Sequence, residues 1–90
     1  MKAVAHPQAL VLGAAGTVGA GVVGALLEVG SPVLAVGREG PRMRALVERF
    51  ADEPALEVMH SGCIFSDDDA ARLARDIRAR GRPLRAVFAS

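Results

Sequence analysis

Three glycines spaced three apart, Gly13, Gly16 and Gly19, follow the apolar run Ala9–Leu12 and open onto a stretch with helical periodicity. Each glycine answers a separate steric demand. A tight turn needs a residue without Cβ, a backbone that approaches a ligand closely needs a second, and a helix packed hard against a strand needs a third. The pattern therefore predicts a buried strand, a sharp turn and a helix whose first amides face whatever lies beyond the strand end. Close helix–strand packing alone is the competing explanation of the same glycines, and Gly21 and Gly24 are assigned to it.

Periodicity extends the unit along the chain. Val18, Val22, Leu26 and Val29 recur at three to four residues from Thr17 onward, and Gly30 closes the pattern as a C-cap. Val33 to Val36 is a second β-branched run ending at Gly37. Pro41 suits a first helical position, and Met43, Leu46, Val47 and Phe50 form the apolar stripe that follows it. Leu56 to Met59 is a weaker strand, and His60 to Cys63 reads as a loop. Ser66 is an N-cap ahead of Asp67, Asp68 and Asp69, opening a helix that runs to about Arg80. Leu84 to Ala89 is the last strand, with Ala86 to Phe88 expected as its buried centre. The order βαβαβαβ predicts an α/β fold with a parallel sheet and right-handed crossovers, and in the nucleotide-binding version, a Rossmann-like half-domain, the strands lie in the order 3-2-1-4. The fourth strand then lies at an edge, and the chain reads as the first half of a doubly wound domain, truncated after that strand.

Composition removes several classes. Ninety residues, 51% hydrophobic and 23% charged, make one folded domain rather than a disordered chain. A net charge of +1 is too small a field to argue for nucleic acid or an anionic membrane. One cysteine excludes a disulfide framework and a cysteine-cluster metal site. The charge-free stretch between Lys2 and Glu28 imitates a signal peptide or membrane span. It is too rich in glycine and alanine for either, so no membrane segment, no metal and a cytoplasmic location are expected.

The end of the second strand bears on which ligand the turn would take. Phosphate loops of the GxxxxGK(S/T) type need a lysine and a hydroxyl residue in register, and the sole lysine, Lys2, precedes the first strand. In dinucleotide sites an acid at the end of the second strand holds the ribose 2′-hydroxyl of NAD, whereas arginine pairs with the 2′-phosphate of NADP. Here the residues are Gly37-Arg38-Glu39, which favours NADP over NAD. Arg38 as a loop charge paired with Glu39 is the alternative. Arg42 reads as a second phosphate contact or, more simply, as an exposed helix arginine.

Together these residues resemble the short-chain dehydrogenase/reductase superfamily, in its extended and atypical branches. The likeness rests on Leu10-Val11-Leu12 leading into GxxGxxG, on Val33 to Arg38 as an NADP-preferring second strand, and on Arg82 to Ala89 as a fourth. The resemblance implies that the backbone after Gly13 and the residues Gly16, Thr17 and Val18 face the pyrophosphate, with Gly19 completing the motif. It also implies that Ala89 lies beside the cofactor ribose. Where the family commonly carries an aspartate after the third strand, this chain has Gly62-Cys63, so the backbone amide of Cys63 or Ile64 would have to meet the adenine. The family's catalytic serine, tyrosine and lysine have no counterpart, and the chain contains no tyrosine.

Other reactive residues carry less. His60 and Cys63 are close in sequence, but no oxyanion donors or orienting acid accompany them, and His6 reads as a surface residue. Consecutive carboxylates at Asp67 to Asp69 point in different directions and suit the helix dipole rather than a metal. The arginines from Arg72 to Arg85 read as a solvated face without interleaved aromatics. The first expectation is an NADP(H)-binding N-terminal portion of an oxidoreductase, with hydride transfer to a carbonyl-type substrate residing in the complete enzyme and this chain inactive alone. The second is a non-catalytic dinucleotide-sensing or interaction module that completes its sheet through the fourth strand, by self-association or with a partner. A methyltransferase-like nucleoside binder is a third, disfavoured by the lack of an acid before Gly13.

Overall fold

Seven elements alternate along the chain in a computed structural model that describes residues 7–61 and 66–89. They are β1 (Gln8–Leu12), α1 (Thr17–Glu28), β2 (Val33–Gly37), α2 (Pro41–Arg49), β3 (Leu56–His60), α3 (Asp67–Ala79) and β4 (Leu84–Ala89). The four strands are parallel and lie in the order β3-β2-β1-β4, a Rossmann-like half-domain. His60, expected in a loop, is the last residue of β3 and is paired in register with Gly37.

The topology dictates where the helices go. The chain steps in one direction from β1 to β2 to β3 and then reverses to reach β4, so right-handed crossovers put α1 and α2 on one face and α3 on the other. The two cores agree with this. Val23 of α1 and Met43 and Leu46 of α2 bury against Val11, Val33 and Ala35, whereas Leu73 of α3 buries against Leu10, Leu34 and Val36. β1 and β2 are covered on both sides, which is why Ala9 to Leu12 and Val33 to Val36 are unbroken apolar runs.

Helix ends follow from single residues. Gly30 adopts φ 82°, its amide donates to the Leu27 carbonyl at 3.0 Å, and the Ser31 amide donates to Leu26 at 2.9 Å, the pair of bonds that closes a helix through a left-handed residue. At the start of α3 the Ser66 hydroxyl accepts from the Asp69 amide at 3.2 Å. No helix among the described residues is long and apolar enough to cross a membrane.

Three expectations are corrected. The centre of β4 is not buried: Val87 is 58% and Phe88 38% exposed. The helices cover the inner strands, and neither face of this edge strand receives the cover that its apolar sequence anticipates. Val47, counted in the α2 stripe, is also exposed. The arginines after α3 are not all a solvated face. Arg80 and Arg82 donate to Glu57 on β3, which also accepts from Gln8 Nε2 at 2.7 Å, and Arg85 donates to the Ser31 hydroxyl at 2.8 Å. These contacts tie the starts of β1, β3 and β4 together at the end of the sheet opposite the glycine turn.

The two classes of strand position separate in stability. Leu34→Ala removes a side chain that is 1% exposed and is expected to cost about 2–5 kcal/mol. Val87→Ala on the uncovered strand is expected to cost less than about 1 kcal/mol. Urea unfolding of both variants against the parent chain measures the difference.

Candidate functional site

Parallel strands all end at one edge of the sheet, and the helices that follow them begin there. At that edge, next to β1 where the direction of winding reverses, lies a cleft of about 1180 Å³. Its walls are the glycine turn after β1, the β2–α2 loop from Gly37 to Met43, Ser61 beyond β3 and Ala89 at the end of β4.

The turn is built by its glycines. Gly13 has φ 72°, a left-handed conformation that a Cβ disfavours. The amides of Gly13 and Ala14 both donate to the Val36 carbonyl, at 2.9 and 3.1 Å, which staples the turn to the end of β2. The Gly16 amide donates back to the Gly13 carbonyl at 3.1 Å. Gly19, one turn into α1, packs so closely that a Cβ there would lie 2.2 Å from the Gly13 oxygen and 2.9 Å from Ala14 Cα. Gly19 is thus buried below the turn and shapes the cleft without lining it. Gly24 faces the Phe50 ring, as close packing requires, but Gly21 meets nothing within 4 Å, so packing does not account for it.

The helix starts at this edge differ from the third. α1 and α2 have glycine N-caps, Gly16 and Gly40, with no side-chain capping bond and no acid in the first turn. α3 has both a serine cap and three aspartates. First-turn amides lack intrahelical partners, so α1 and α2 present the positive ends of their dipoles at the cleft without a side chain to neutralise them. Thr17 and Val18 lie in that first turn of α1 and line the cleft, where Val18 is 67% exposed.

The opposite wall carries the charge. Arg38 and Arg42 are exposed and line the cleft, with Glu39 between them in the chain. Glu39 Oε1 accepts from Arg44 Nη1 at 3.0 Å, and its Oε2 is 3.4 Å from His60 Nε2. The Ser61 amide donates to the Gly37 carbonyl at 2.9 Å, holding the end of β3 beside the same loop.

Gly13, Gly16, Thr17, Val18, Arg38 and Ala89 therefore line one cleft. Cys63, with Gly62 and Ile64, lies outside the described residues. Reading the sequence alone missed Ser61, Leu73 and the grouping of Glu39 with Arg44 and His60. The signal for that grouping is the register of β3 on β2, which sets His60 beside Gly37. Among the described residues no group of three or more histidine, cysteine, aspartate or glutamate side chains could hold a metal ion. The chain matches no protein-family model, and no curated protein matches its sequence.

Substitution of two neighbouring glycines distinguishes the turn's steric demand from helix propensity. Gly19→Ala drives a Cβ into backbone and is expected to cost about 1–3 kcal/mol or more. Gly21→Ala, in open space on the same helix, is expected to gain about 0.5–1 kcal/mol. Thermal unfolding of the two variants should move in opposite directions.

Proposed function

We propose that this chain is the NADP(H)-binding portion of an oxidoreductase of the short-chain dehydrogenase/reductase type. The observation that carries the proposal is that the glycine turn and the Arg38 loop open onto the same cleft, at the switch point of the sheet. The residues fit the group. The turn brings Gly13, Gly16 and the first residues of α1 to the cleft, and a pyrophosphate needs the close backbone approach that such glycines allow.

In this reading the first-turn amides at Thr17 and Val18 hold the pyrophosphate, since those of Gly13, Ala14 and Gly16 are bonded within the turn and to β2. Arg38 pairs with the 2′-phosphate, with Arg42 as a second cation on the same wall. Ala89 borders the ribose, where a small side chain leaves room. The cofactor, when bound, supplies or accepts hydride for a carbonyl-type substrate. This chain's own part is binding and orientation, and it has no tyrosine to exchange a proton with substrate.

A second reading, an interaction module that completes its sheet by self-association, draws on the uncovered β4, where Leu84, Val87 and Phe88 are all at least 36% exposed.

Fluorescence titration with NADPH and NADH tests the first reading. Saturable binding with NADPH preferred is expected, and Arg38→Ala should weaken NADPH by about tenfold or more while changing NADH by less than about twofold. Equal weakening of both would remove Arg38 from the 2′-phosphate. For the second reading, sedimentation should show a dimer that Val87→Lys converts to monomer, and a parent chain that is monomeric throughout the concentration range would contradict it.

A further inference from the structure

Glu39 is the one carboxylate among the described residues that line the cleft. It stands in the loop that carries Arg38, two residues past the end of β2 and three before Arg42 in the first turn of α2. A carboxylate in this region has two capabilities that oppose NADP binding: it can accept a hydrogen bond from a free ribose 2′-hydroxyl, and it repels a 2′-phosphate. In this chain Oε1 accepts from Arg44 Nη1 in the first turn of α2, and Oε2 lies 3.4 Å from His60 Nε2 at the end of β3, an ion pair when the imidazole is protonated.

We infer that Arg44 and His60 are positioning residues that determine cofactor specificity, by engaging the Glu39 carboxylate so that it neither accepts from the ribose nor opposes the phosphate. The inference rests on the dinucleotide reading of the cleft and adds a residue-level cause for its preference. Arg44 acts through Glu39; it is not among the residues that line the cleft. Its guanidinium closes the loop onto α2 across five residues, and His60 Nε2 stands 3.4 Å from the same carboxylate on the neighbouring strand. The wall facing the ligand then presents Arg38 and Arg42 with the intervening acid paired to Arg44. Side chains of Arg44, Glu39 and His60 are 65%, 61% and 51% exposed, so solvent weakens the restraint and the effect on binding is a few-fold rather than absolute.

The test is a set of titrations with NADPH and NADH on the parent chain, Arg44→Ala, His60→Ala, and Arg44→Ala combined with Glu39→Gln. All three positions are exposed, and a thermal melt of each variant checks folding. Arg44→Ala is expected to weaken NADPH about three- to fivefold and to tighten NADH about twofold. His60→Ala should shift the ratio in the same direction by less. Adding Glu39→Gln to Arg44→Ala should return the ratio to that of the parent chain or beyond, because the released carboxylate is the agent. A ratio unchanged by Arg44→Ala overturns the inference, as does a shift that survives Glu39→Gln, which would assign the effect to the lost arginine charge itself. Binding by the parent chain with an Arg38-dependent preference but no effect at Arg44 removes this inference and leaves the cofactor reading standing. No binding of either cofactor by the folded parent chain removes both.

Discussion

The approach of α1 to the end of β1 at Gly13 and Gly19 sets the geometry of the rest of the molecule. With a Cβ at position 19 lying 2.2 Å from the Gly13 oxygen, helix and turn could not hold their present separation. Because they do, the turn is short enough for the Gly13 and Ala14 amides to reach the Val36 carbonyl and join the ends of β1 and β2. The same approach lays α1 on the sheet face where Val11, Val33 and Ala35 meet Val23. Once the first crossover is fixed and right-handed, α2 must take the same face, and the return to β4 must carry α3 over the other.

Chemistry at the cleft follows from that arrangement. A parallel sheet collects the strand ends and the following helix starts at one edge, so the positive ends of α1 and α2 converge there without being designed separately. What the sequence adds is restraint: glycine caps on those two helices, and no acid in either first turn. The serine cap and aspartates are kept for α3. Glu39, the one carboxylate among the described residues that line the cleft, is paired with Arg44 and lies beside His60, and the arginines at the opposite end of the sheet are engaged by Glu57 and Ser31.

Much of this was legible in the sequence because it depends on local rules. Unbroken apolar runs mark β1 and β2 because both strands are covered on two faces, and Gly30 and Ser66 mark helix ends because caps are made within a few residues. The parallel sheet follows from alternation and handedness, and the order 3-2-1-4 from taking the glycine turn as that of a nucleotide-binding fold. Long-range pairings were not legible. The tie from Glu39 to His60 depends on the register of β3 against β2, and the union of Gln8, Glu57, Arg80 and Arg82 depends on three strands meeting at one end. The exposure of β4 was missed for a different reason: its residues are those of a covered strand, and cover is a property of neighbours rather than of the strand. Of the residues expected at the site, those in the glycine turn were found by spacing; Gly19 was grouped with them although its part is packing.

Backbone amide chemical shifts followed by NMR as NADPH is added give the sharpest test of the proposed site. Binding at the cleft predicts saturable shifts concentrated at Gly13 to Gly19, at Gly37 to Arg42 and at Ala89, with the Glu57 end of the sheet unmoved. A folded chain whose amides in those segments do not respond, or whose shifts gather on β4 and the Glu57 end, would contradict it.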